Sequence, residues 1–154
     1  MRKTRRKAAP MLVMRGIREV ELDTKELSAA LAFKFGTATK ADYDMMMDIT
    51  NMMLIAASTA KHREYVIPII DNSIMPTLKS IRERYERTNK LGVSAEESKV
   101  LVDLTEISKQ FWLRQPLDLY KRCATELALY YEELFKKRAA TCLDESSPEV
   151  AEVL

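Results

Sequence analysis

Two aspartates one helical turn apart, Asp44 and Asp48, are the side chains whose type and spacing best suit acid–base or metal chemistry. At a separation of four residues both carboxylates lie on one face of a helix. A carboxylate metal centre in a helical bundle also needs a Glu-x-x-His pair or carboxylates from other helices. The sequence offers no such partners, so we interpret the two aspartates as a solvated stripe.

The other reactive residue types are sparse. The one histidine, His62, is too little for a Ser-His-Asp or Cys-His site or for a zinc site. Cys123 and Cys142 form no C-x-x-C motif, a usage typical of reduced thiols in the cytoplasm. The three glycines are isolated and make no phosphate-binding loop. We therefore predict a cytoplasmic protein that is not an enzyme and has no catalytic residue, metal site or cofactor.

The strongest indication of binding is a cluster of bases at the start of the chain. No acid occurs before residue 16, and the bases there are Arg2, Lys3, Arg5, Arg6, Lys7 and Arg15. Such a cluster can follow a phosphate backbone or enter the minor groove of DNA. It can also contact an acidic protein surface, or only keep the chain soluble. These three interpretations remain open.

The charge is unevenly distributed along the chain of 154 residues, although its formal net value is only +2. Residues 143–154 contain four acids and no base, opposite in sign to the basic start.

The length of the chain fits one domain. We predict a flexible basic arm over 1–10, a single helical-bundle domain over 11–140 and a flexible acidic tail over 141–154.

The composition excludes several classes of protein. A hydrophobic content of 47% is too high for a disordered chain, and three glycines are too few for a β-sandwich or barrel. No apolar run is long enough to span a bilayer, so we expect no membrane association. The remaining class is an all-α protein, a compact bundle of about five helices with flexible charged termini.

Capping signals and apolar periodicity place the helices. The first is predicted over Thr24–Phe35, with Thr24 as N-cap, Glu26 in its first turn and Gly36 as its stop. Residues 11–22 suit a short strand or an irregular segment. The second helix follows Thr39 and runs towards Lys61.

Prolines and a capping box place the later helices. A helical region over 64–91 is expected to begin near Pro68 and to kink near Pro76. Ser94 and Glu97 form a capping box that begins the fourth helix. Pro116 precedes the fifth helix, which is predicted to end at 136–138.

The second predicted helix is unusually rich in methionine. Flexible thioethers fill irregular cores and also line adaptable binding surfaces. A core position is the simpler interpretation, and a homodimer interface is the alternative. The residues of this possible interface, together with a basic-aromatic patch later in the chain, are Met45, Met46, Met52, Met53, Trp112 and Arg114.

One segment resembles short uncharacterised proteobacterial proteins associated with plasmids and prophages, some of which are described as Fis-like regulators. The resemblance covers roughly residues 1–60 and includes the basic start. Its motifs are Leu27-Ser28-Ala29-Ala30-Leu31, Gly36-Thr37-Ala38-Thr39, Asp42, Asn51 and Leu54-Ile55-Ala56. It implies a mobile-element setting and identifies no catalytic residue.

These observations predict a non-enzymatic accessory or regulatory protein that acts by binding a macromolecule. The leading hypothesis is a protein partner, a host or phage complex such as a host defence complex that the protein inhibits. The alternative is a DNA-binding transcriptional regulator that uses the basic N-terminal arm.

Overall fold

Glycines, prolines and caps divide the chain into helices joined by short links. The computed structural model describes the backbone of residues 17–57 and 63–152, and the side chains of residues 22–57 and 64–142. The elements are α1 (Ile17–Lys34), α2 (Lys40–Ala57), α3 (Arg63–Ile69), a π-helical turn (Ile70–Ile74), α4 (Met75–Thr88), α5 (Ala95–Leu113) and α6 (Leu117–Glu152). Since α3, the π turn and α4 follow one another without a gap, they form one bent unit. Five helical units and no strand make up these residues, which confirms the all-α bundle.

The first helix begins earlier than predicted. It already includes Ile17, so the expected strand or irregular segment is wrong for residues 17–22, and Thr24 lies inside α1 instead of capping it. No glycine or proline between Gly16 and Gly36 interrupts the helix. Gly36 is confirmed as the stop, because its φ of 73° is left-handed and Thr37 N–H donates to the Ala32 carbonyl at 2.9 Å.

The second helix begins as the Thr39 signal predicts, but with Asp42 as the accepting side chain. The Thr39 N–H and hydroxyl both donate to Asp42 Oδ2, at 2.7 and 3.1 Å. A carboxylate in the first turn also complements the helix dipole. The predicted extension of this helix towards Lys61 falls on residues 58–62, which lie outside the described part of the chain.

The two prolines of the third region flank the π turn. Pro68 lies inside α3, so the predicted start near Pro68 is wrong. The π turn directly precedes Pro76, which lacks a backbone donor and crowds the carbonyl four residues earlier. Wider winding at this point relieves that conflict and accounts for the irregularity predicted near Pro76. The region also ends earlier than predicted, because Asn89 takes the left-handed stop position with φ 56°.

The capping box of α5 is confirmed, and it is also part of a corner between α4 and α5. Glu97 Oε1 accepts from Ser94 N–H at 2.9 Å and from Arg84 Nη1 at 3.0 Å, while Ser94 Oγ accepts from Glu97 N–H at 3.1 Å. Arg84 also donates to the Gly92 carbonyl at 2.6 Å. Burial raises the pKa of Glu97, but the hydrogen bonds from Ser94 and Arg84 outweigh it and lower that pKa overall.

The last helix follows Pro116 as predicted but does not end at 136–138. It continues to Glu152, so the backbone of residues 141–152, predicted as a flexible tail, is helical. The run from Lys136 to Ser147 contains neither glycine nor proline, which explains why the helix is not broken there. Helix α6 also crosses the predicted domain boundary at residue 140.

The core lies where α1, α2, the bent α3–α4 unit, α5 and the first half of α6 meet. Its largest fully buried apolar side chains are Phe33, Met46, Met53, Ile70, Ile74, Leu78, Ile81, Leu101 and Leu104. Among the described helices, none has both the length and the apolar character needed to cross a lipid bilayer.

Candidate functional site

Helix α1 has an apolar row on the side that faces away from the core. Leu27 and Leu31 belong to α1, and Phe35 is in the turn directly after it, where its N–H donates to the Leu31 carbonyl at 3.0 Å as in a helix. The three recur every four residues and therefore lie on one face. Leu27 is 42% and Phe35 71% exposed and Leu31 between them is half-buried, whereas Ala29 and Phe33 on the opposite side are buried. Large apolar side chains grouped on an exposed face are typical of an interaction site. We call this row the α1 outer face.

Charge on the rim of the α1 outer face is basic. Lys25 and Lys34 are exposed and flank the row on its two sides by helical periodicity. Asp23 lies one turn before Leu27 but is half-buried and lines a small cavity, and Glu26 is buried, so the exposed charges beside the row among the described side chains of α1 are the two lysines. The face therefore suits a partner whose apolar contact strip is bordered by carboxylates.

That cavity lies among α1, α5 and the start of α6, and Glu26 is its most unusual residue. Its volume of about 30 Å³ holds a single water and no substrate. Burial, reinforced by the nearby charge of Asp23, raises the pKa of Glu26 to about 7. Burial and the charges of Glu26 and Asp23 also raise the pKa of Tyr120. Glu26 is therefore a buried carboxyl in the packing between α1, α5 and α6.

A second polar cluster joins α6 to α2. Tyr131 donates to Asp48 Oδ1 at 2.6 Å and accepts from Asn51 Nδ2 at 3.4 Å. Burial and the hydrogen bond to Asp48 raise the pKa of Tyr131 to about 12, so the hydroxyl keeps its proton at physiological pH. Asp48 is therefore a hydrogen-bond acceptor that anchors α6.

Removing the Tyr131 hydroxyl should weaken this anchor. For Tyr131→Phe we expect a loss of about 1 kcal/mol in the free energy of unfolding and faster amide exchange in α6 than in α5, because the Asp48 carboxylate loses its donor. Chemical denaturation and hydrogen exchange measure the two effects. Tyr130→Phe is the matched control, since the Tyr130 side chain, next to Tyr131 in the sequence, is 54% exposed. Equal effects of the two substitutions would contradict the role given to Tyr131.

The structure separates the methionines of the predicted interface. Met46 and Met53 are fully buried and Met52 is 7% exposed, which supports the core interpretation and leaves these three unavailable to a second protein. These three methionines therefore form no exposed surface, because α1, α3, α5 and α6 pack against α2. Met45 is half-buried and packs against the same core.

The two residues of the predicted basic-aromatic patch differ in exposure. Trp112 is half-buried and makes edge-to-face contacts with Phe111 and Tyr120, at centroid distances of 4.9 and 4.8 Å. Arg114 is exposed at the C-cap of α5. Trp112 is thus part of the packing between α5 and α6.

Several predicted residues cannot be placed. The bases of the N-terminal arm, Arg2 to Arg15, and His62 lie outside the described residues. Over the described ranges, no group of three or more His, Cys, Asp or Glu side chains could hold a metal ion. The α1 outer face was missed by the sequence reasoning, although two separate apolar stripes on one helix are a signal that could have found it.

Comparison of the chain with protein-family models, with curated proteins and with solved structures finds no match. The resemblance to plasmid- and prophage-associated proteins therefore stays a prediction.

Proposed function

We propose that this is a non-enzymatic regulatory protein of the cytoplasm that acts by binding a protein partner through the α1 outer face. The observation that carries the proposal is the row of Leu27, Leu31 and Phe35 on the solvent side of α1, with Phe35 71% exposed. An exposed phenylalanine at the end of an aliphatic row is the kind of anchor that dominates protein interfaces.

The rim indicates the chemistry of the partner. With Lys25 and Lys34 on either side of the row, a partner segment with acidic residues beside an apolar strip pairs its charges across the interface. An amphipathic acidic helix meets this description. The sequence resemblance supports a host or phage protein complex as its source, with inhibition of a host defence complex as the example.

Matched double variants test this proposal. Leu27→Ser/Phe35→Ser changes the α1 outer face, and Tyr65→Ser/Ile69→Ser changes two side chains of α3 with similar exposure, 73% and 39%. Full-length protein is used to capture a partner from host extract, and calorimetry then measures the affinity of the purified partner. We expect the α1 variant to weaken binding at least about tenfold and the α3 variant to leave it unchanged.

Two outcomes contradict the proposal. Either the α3 pair weakens the interaction and the α1 pair does not, or no protein binds while nucleic acid does. Circular dichroism of both variants shows that the fold is kept, as expected for exposed positions.

The alternative proposal is a DNA-binding transcriptional regulator. It is supported by the five bases of residues 2–7, since clustered bases release counterions from a phosphate backbone on binding. Titration of random duplex DNA at several salt concentrations separates the two proposals. Binding with a steep salt slope that is lost when residues 1–10 are deleted would favour this alternative, whereas no binding at physiological salt would reject it.

A further inference from the structure

The described side chains of α6 beyond Leu134, those of residues 135–142, are not covered by the bundle. Leu119, Cys123 and Leu127 are the buried stripe of this helix, and Leu134 is the last side chain that is even half-buried. Every side chain described over 135–142 is exposed, yet the backbone stays helical to Glu152. The described side chains therefore continue for about 12 Å along the helix past Leu134 without being covered by the bundle. Because most helical stability in proteins comes from packing of an apolar face, this segment is suited to a partner.

The exposed turns of α6 carry an apolar face of their own. Ala128, Phe135, Ala139 and Cys142 are separated by seven, four and three residues and so lie on one side of the helix. Phe135 is 69% exposed at the centre of this face. The small side chains on either side of Phe135 allow another helix to approach closely. We call this surface the α6 face.

The α6 face is bordered by one acid and one base, so its charges are complementary to those of a second copy of the same face. Glu132 and Lys136 are both exposed and lie one turn apart on the same side of Phe135. At the same spacing in α4, Lys79–Glu83 and Arg82–Glu86 form ion pairs at 3.9 and 3.0 Å. Glu132 and Lys136 form no ion pair with each other or with any other described residue, so both charges are available.

We propose that a second copy of this chain docks on the α6 face. The two α6 helices are antiparallel, and the two-fold axis between them crosses at the level of residue 134 along each helix. This axis lies midway between residues 132 and 136, so each Glu132 meets Lys136 of the other copy. It brings the two Phe135 rings together and sets Ala128 opposite the turn at residues 139–140. A two-fold contact of this kind is isologous and closes at two chains.

The arrangement of charges on the α6 face favours a second copy of this chain over a different protein. On the α1 outer face the flanking charges, Lys25 and Lys34, have the same sign, so that face does not suit a second copy. On the α6 face an acid and a base are spaced symmetrically about one point. The dimer surface is separate from the α1 outer face, and either proposal can fail without the other.

Sedimentation of the full chain at several concentrations tests the dimer. We expect wild-type protein to be dimeric at micromolar concentration and Phe135→Ser to raise the dimer dissociation constant at least about tenfold. Tyr65→Ser, which removes an equally exposed ring from α3, is the matched control and should dimerise as the wild type does. A wild-type chain that stays monomeric at high concentration, or a dimer insensitive to Phe135→Ser, would overturn the proposal.

Charge reversal tests the two-fold arrangement itself. Glu132→Lys faces Lys136 of the other copy and should weaken the dimer, and Lys136→Glu should weaken it similarly. The double variant Glu132→Lys/Lys136→Glu restores opposite charges across the axis and should regain most of the wild-type affinity. Additive weakening in the double variant would contradict the pairing, because it would mean that the two side chains do not meet.

The exposed thiol of Cys142 reports the orientation. An antiparallel pair centred at Leu134 separates the two Cys142 residues by about 24 Å along the helix. Mild oxidation should therefore leave the dimer without a covalent link, as judged by non-reducing electrophoresis. Rapid crosslinking through Cys142 would indicate parallel helices and overturn the arrangement.

Discussion

Replacing Glu26 by glutamine is expected to stabilise the protein by about 3 kcal/mol at pH 8 and to leave its stability at pH 4 almost unchanged. In the folded chain the pKa of Glu26 is raised to about 7 from an ordinary value of 4.5, first by burial and second by the charge of Asp23. Each unit of such a shift corresponds to about 1.4 kcal/mol. The other titratable groups that line the cavity are Lys109 and Tyr120.

The direction in which stability changes with pH depends on whether the folded or the unfolded chain binds the Glu26 proton more tightly. Below pH 4.5 the carboxyl is protonated in both the folded and the unfolded chain, and its contribution to stability is fully present. Between pH 4.5 and 7 the unfolded chain releases the proton and the folded chain retains it, so wild-type stability falls as pH rises. Glutamine does not titrate, and the variant should lack this decline.

Urea denaturation at half-unit intervals from pH 4 to pH 8 measures the effect. Glu64→Gln is the matched control, because it removes the same charge from an exposed position on α3 and should keep the wild-type profile. If Glu26→Gln keeps the wild-type decline in stability, the buried carboxyl is not its source.

Truncating Met53 is expected to lower the free energy of unfolding by about 3 kcal/mol. Its side chain is fully buried in α2, and removal of a buried methionine leaves a cavity that the surrounding core fills only in part. The loss should appear in the denaturation midpoint of Met53→Ala at any protein concentration.

Met45→Ala is the comparison for this experiment, since Met45 is half-buried on the same helix and should cost less. If Met53→Ala left the free energy of unfolding unchanged but weakened self-association, Met53 would lie at an interface and the core assignment would be wrong. This experiment decides between the two meanings of the methionine cluster.

Local sequence signals predicted the helix boundaries correctly where a capping box, a glycine or a proline lies at the boundary itself. The Ser94–Glu97 capping box, the left-handed Gly36 and the break at Pro116 each depend on neighbouring residues, and the structure bears out all three. The end of α6 was predicted too early, because the basic residues at 136–138 complement a helix C-terminus without ending the helix. The start of α1 was predicted too late, because Thr24 suits an N-cap but lies inside a run without glycine or proline that begins after Gly16. Glu26, predicted as a first-turn charge, lies in the middle of α1 for the same reason.

The surfaces were harder to predict than the helices. The sequence pattern alone would assign Leu27, Leu31 and Phe35 to the core. Periodicity does not show which of two apolar stripes on a helix faces the bundle. The α2 methionines posed the converse problem, since a helix that is apolar on most sides can be central or can be an interface. Both choices depend on how the other helices pack, which a single helix pattern does not contain.

Site-specific photo-crosslinking in the host cell is the sharpest test of whether a protein partner binds the α1 outer face. A photoreactive residue placed at Leu31 is compared with one placed at Tyr65 on α3, in full-length protein. If a partner binds this face, position 31 gives one discrete protein adduct, position 65 gives none, and Phe35→Ser abolishes the adduct. Adducts from position 65 but not from position 31 would contradict binding at the α1 outer face.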